Sequence, residues 1–114
     1  MNLEQLLAQL SNDAESVQFT DVIEVIESHY QYVPASFKNG SVENAAGTNQ
    51  GSCKIFAFAQ LQGLSEAQTL QCFGDYYRVD VLRHPDADDH GNIRQFMQTG
   101  WSGIVFDQSP LTEK

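Results

Sequence analysis

Ser52-Cys-Lys-Ile-Phe-Ala-Phe-Ala-Gln-Leu-Gln-Gly-Leu64 decides the architecture. Its centre, Ile55–Ala59, is apolar on every side, and a helix without a polar face belongs inside a protein. The spacing predicts a buried central helix over 52–64, closed by Gly63. The rest of the chain must pack around it.

On the N-terminal side, Asn44–Gly51 is small and polar and reads as a loop with flexible points at Gly47 and Gly51. Before it, Ser36–Glu43 reads as a hairpin. Asn39-Gly40 fits a type I′ turn, which would set Phe37 opposite Val42. Val22, Val25, Ile26, His29, Tyr30 and Val33 form one helical stripe, capped by Thr20 or Asp21 and ended by Pro34. Leu3, Leu6, Leu7 and Leu10 form another, with Asn2 and Gln5 placed as a capping box and Ser11–Asp13 as the interruption.

On the C-terminal side, Ser65 and Gln68 make a second capping box. Leu70, Phe73, Tyr77 and Val81 share a face if that helix runs through Gly74; periodicity leaves a break there equally open. Pro85 ends the segment. Asp86–Gly91 is an acidic loop, and Asn92 is placed to cap a short helix carrying Ile93, Phe96 and Met97, with Gly100 as its C-cap. Ile104–Phe106 is a strand candidate against the hairpin. The expected fold is α+β: one mostly helical domain over 1–114 with a small antiparallel sheet and a loosely held tail at 107–114.

Composition bounds the partners. The 114 residues suffice for one core, and 41% of them are hydrophobic, which argues for a packed globule. A formal charge of −9 repels phosphate backbones and anionic membranes, so neither nucleic acid nor a membrane surface is expected as a partner. No apolar run approaches the roughly 20 residues that span a bilayer. Met1–Ser11 lacks a basic residue and does not read as a Sec signal. Two cysteines, Cys53 and Cys72, make no disulfide scaffold and suit a reducing cytoplasm.

Three stretches carry a resemblance: Asn44-Ala-Ala-Gly-Thr-Asn-Gln-Gly-Ser-Cys-Lys-Ile-Phe-Ala-Phe58, Thr69-Leu-Gln-Cys-Phe-Gly-Asp-Tyr-Tyr-Arg78, and His90-Gly-Asn-Ile-Arg-Gln-Phe-Met-Gln-Thr-Gly-Trp-Ser-Gly-Ile-Val-Phe106. In this order they resemble the HopJ type III effector family. The resemblance implies a bacterial protein that is exported through type III secretion into a host cell. It brings no catalytic residue set.

Several local patterns bear on chemistry. Gly47–Lys54 is not a P-loop: three residues rather than four separate the glycines, and Lys54 does not directly follow the second. The same stretch echoes papain-like proteases, but their nucleophile position falls on Phe56. Cys53 in the first turn of a helix beside Lys54 is placed to favour thiolate, so Cys53 is a candidate nucleophile and His90 a candidate base. The amides of Gly51, Ser52 and Cys53 with Lys54 form a candidate anion site, extended to Asn44, Asn49 and Arg94. Asp86–Ile93 imitates the start of a calcium loop, but Met97 stands where the closing Glu belongs, so no metal or other cofactor is expected. An imidazole beside carboxylates would suit a transition ion better. His29, on the apolar stripe, reads as a core histidine. Tyr76, Tyr77 and Trp101 read as the core edge, and Arg78, Arg83 and Arg94 as ion-pair partners.

No catalytic set is complete. The leading expectation is therefore a protein-interaction module whose partner is a host or bacterial protein. The alternative is a small enzyme or anion-binding protein with its site at Asn44–Lys54.

Overall fold

The structure is a computed structural model that describes residues 1–114. Helix α1 (Leu3–Asn12) carries its capping box between Asn2 and Gln5. A 3₁₀ turn (Ala14–Ser16) leads to α2 (Phe19–His29), then β1 (Tyr30–Tyr32), β2 (Phe37–Asn39), β3 (Val42–Asn44), α3 (Gln50–Gln62) and α4 (Glu66–Gln71). A π-helical turn (Tyr76–Val81) precedes α5 (Gly91–Thr99), a second 3₁₀ turn (Gly100–Gly103), β4 (Ile104–Phe106) and β5 (Leu111–Glu113). The fold is α+β, with two small antiparallel sheets: β3-β2-β4 and β1-β5.

Helix α3 is the axis. Ile55, Phe56, Ala57, Phe58 and Ala59 are all buried, and Gly63 ends the helix with φ +67°. The Phe56 ring meets Phe37, Phe73, Phe96 and Trp101 at centroid distances of 5.0–6.5 Å, joining β2, α5 and both flanking turns to the axis. Trp101 also donates its indole N–H to the Leu64 carbonyl at 3.1 Å.

Four expectations need correction. Helix α2 ends at His29, four residues before Val33, because Tyr30–Tyr32 pair with Leu111–Glu113 instead. That places His29 on the surface rather than in the core. The same pairing ties down the tail. Leu111 is 2% exposed, and the Lys114 amide donates to the His29 carbonyl at 3.1 Å. Residues 107–114 are therefore not loosely held.

The hairpin register is also displaced. Asn39 faces Val42, and Phe37 faces Asn44. Gly40-Ser41 forms the turn, and only Gly40 has positive φ, the type II′ pattern. The displacement amounts to two positions along the ladder, so Phe37 keeps its buried face. Its cause is Asn39, which is fully buried in a polar network instead of sitting in the turn.

Helix α4 stops before Gly74, which has φ +61°. A Cβ there would stand 2.8 Å from the Phe19 amide nitrogen. The chain then resumes as the π-turn rather than continuing one helix. Arg78 in that turn does more than pair with Asp75: it donates to the carbonyls of Val17 and Ala14 and to Gln71 Oε1 (2.8 Å), closing the end of α4 and the first 3₁₀ turn.

Candidate functional site

Two helices begin at the same place. The residue before α3, Asn49, has φ +48°, and the residue before α5, His90, has φ +51°. They are the only two non-glycine residues of the chain with positive φ. Such a backbone costs about 1–3 kcal/mol where the residue is not glycine, with asparagine at the low end. Both residues line one cleft of about 390 Å³.

Its polar wall is made by the residues that start the two helices. The first amides of an α-helix have no partner within the helix. No backbone acceptor takes the amides of Gly51 and Ser52 at the start of α3, nor those of Asn92 and Ile93 at the start of α5. All four residues line the cleft. The apolar wall is Phe19, Phe73 and Tyr76. Tyr76 sits edge-on to Phe19 at 5.0 Å and lies 5.2 Å from the His90 ring.

The floor is held by four asparagines. Asn92 Oδ1 accepts from Asn39 Nδ2 and Asn44 Nδ2, each at 3.1 Å, and Asn92 Nδ2 donates to Asn44 Oδ1 at 3.0 Å. Asn49 Nδ2 donates to the same Asn44 oxygen at 2.7 Å. This network, buried at Asn39, Asn44 and Asn92, ties the hairpin to the starts of both helices and leaves one buried oxygen, Asn39 Oδ1, without a partner. Asn92 is therefore not the cap of α5 but a buried member of its first turn.

His90 is tied on its other side. Its Nε2 lies 2.9 Å from Asp80 Oδ2, on the π-turn, and 3.8 Å from Asp89 Oδ2. Asp89 in turn takes Arg94, whose guanidinium donates to Asp89 Oδ1 at 2.7 Å and holds that carboxyl below the usual carboxylate range.

The residues singled out in the sequence separate into two groups. Asn49, Gly51, Ser52 and His90 converge on the cleft. Asn44 supports it from beneath and lines a second groove beside the hairpin. Arg94 does not line the cleft; it fixes the acidic loop through Asp89 and the Asp80 carbonyl. Lys54 turns away: its ammonium lies 3.6 Å from Glu27 and 4.7 Å above the Tyr32 ring centroid.

Cys53 reverses the thiolate expectation. It is 1% exposed, and burial pushes its thiol up rather than down. The charge of Lys54 acts in the opposite sense but is the smallest of the influences on the thiol. Burial pushes Cys72 up to about 12. Neither thiol lines the cleft. Asp80, Asn39 and Phe19 were not legible as site residues. Asn39 read as a turn residue, Phe19 reaches the cleft only through long-range packing, and Asp80 stands behind it, against His90.

A family model described as HopJ type III effector protein matches residues 3–111. The chain belongs to the HopJ type III effector family. No curated protein matches it. A solved crystal structure, that of the unknown function protein VPA0580, is 51% identical over all of this chain and 95% of its own, with a TM-score of 0.98. The HopJ family is one of type III effectors, and in this member no helix is long and apolar enough to cross a membrane.

Proposed function

We propose that this HopJ protein is an interaction module that takes an anionic group of its partner, a carboxylate or a phosphoryl oxygen, into the cleft between the starts of α3 and α5. The observation that carries this is that Gly51, Ser52, Asn92 and Ile93, whose N–H groups have no backbone acceptor, line one cavity from two helix N-termini. Helix N-termini favour anions through unpaired N–H groups and the helix dipole. Phe19, Phe73 and Tyr76 offer an apolar wall to whatever bears the anion. No lysine or arginine lines the cleft, which favours a singly charged carboxylate over a phosphate dianion.

Amide NMR tests this directly. Titration with phenylacetate or phenyl phosphate should shift the amides of residues 51, 52, 92 and 93, and Ser52→Glu, which brings its own carboxylate to the first turn, should abolish the shifts while retaining the fold. Shifts scattered over the surface, or none at millimolar ligand, would reject the reading.

An enzymatic reading has one supporting feature. Asp80 and His90 form a carboxylate–imidazole pair at the wall, and Ser52 is a hydroxyl lining the same cleft. A base held by an orienting carboxylate is half of a nucleophilic site. No hydrogen bond joins Ser52 to His90. Turnover of activated esters lost in both Ser52→Ala and His90→Gln would favour this reading.

A further inference from the structure

We propose that Asp80, Asp89 and His90 form a binding site for a divalent transition-metal ion. Their ligand atoms all lie within 4.8 Å of one another, although the residues come from the π-turn, the acidic loop and the residue before α5. Both carboxylates face the same ring nitrogen, His90 Nε2, at 2.9 and 3.8 Å. Ligands bound about 2.0–2.2 Å from an ion stand roughly 3 Å apart. Asp80 and His90 already have that spacing, and Asp89, 3.8 Å from the same nitrogen, must close in to share it.

The surroundings orient these ligands as outer-shell partners do. The Tyr76 ring backs the imidazole at 5.2 Å. Arg94 takes Asp89 by Oδ1, which leaves Oδ2 directed to the histidine, and the same guanidinium donates to the Asp80 carbonyl at 3.3 Å. Arg94 lowers the negative charge of the site but does not cancel it: two carboxylates face one guanidinium. One imidazole with two carboxylates suits zinc, cobalt, nickel or manganese. It is poor for calcium, which needs about 6–8 oxygens. The residues that imitate a calcium loop, Asp86 and Asp88, are not in this cluster. His90 also lines the cleft, so an ion here would put a positive charge at the edge of a wall that has no lysine or arginine.

Calorimetry on metal-stripped protein decides the matter. Zinc and cobalt should bind at about one equivalent with micromolar affinity and raise the melting temperature by mass action. His90→Gln and Asp80→Asn should each weaken binding by at least about tenfold, while Asp88→Asn and calcium act as silent controls. Substoichiometric binding, or binding that survives His90→Gln, overturns the site. Should a variant fail to fold, cobalt added to the wild-type protein locates the ion without any substitution. The His90 ring resonances must then broaden before those of His29 and His84, and the reverse order overturns the site.

Discussion

Asn92 shows how much one buried side chain can decide. It is 7% exposed, and its amide oxygen accepts from Asn39 and Asn44 at once. Asn92→Ala leaves those partners facing an apolar gap and should cost roughly 2–4 kcal/mol in chemical denaturation. The cysteines make a second test. Cys72 is 0% exposed, and neither thiol should react with a disulfide reagent until the protein unfolds. The sign follows from the raised value. Cys72 stabilises the fold fully below its unfolded value near 9, and this contribution fades as pH climbs towards about 12. Three pH units at about 1.4 kcal/mol each give a loss of roughly 4 kcal/mol near pH 12. Cys72→Ala should flatten that alkaline decline; an unchanged slope would assign it elsewhere.

Among elements, the two glycine breaks make a matched pair. Gly63 and Gly74 share positive φ, +67° and +61°, but only Gly74 lacks room for a Cβ. Gly63→Ala should cost about 1 kcal/mol, and Gly74→Ala at least roughly 2 kcal/mol, because it also pushes against the start of α2. The β1-β5 ladder makes another prediction. Truncation after Phe106 removes buried Leu111 and uncovers Tyr30, and should cost roughly 3 kcal/mol or more. Local signals were legible: both capping boxes, the apolar α3, the Gly63 and Gly100 caps, and the β4 strand. Long-range ones were not. Tyr30–Tyr32 look helical until Leu111–Glu113 arrive from the other end, and Asn39 looks like a turn residue until Asn92 reaches it. The site divided in the same way. Asn49, Gly51 and Ser52 were visible at a loop-to-helix junction and His90 as a candidate base, but that the two helix starts meet is a property of packing.

At the scale of the whole molecule, a charge of −9 predicts no salt-sensitive binding to duplex DNA, which a fluorescence anisotropy titration at low ionic strength can contradict. Stability, too, belongs to the whole, and natural selection acts on its sum rather than on single bonds. The positive φ at Asn49 and His90 has a consequence in those terms. Glycine occupies that conformation without strain, so relief of about 1 kcal/mol in Asn49→Gly and His90→Gly should largely offset the loss of the Asn49–Asn44 and His90–Asp80 contacts and leave folding energy little changed. A lineage kept only for folding would tolerate glycine at both positions. A library sorted first for thermal resistance and then for ligand capture should retain glycine in the first round and purge it in the second.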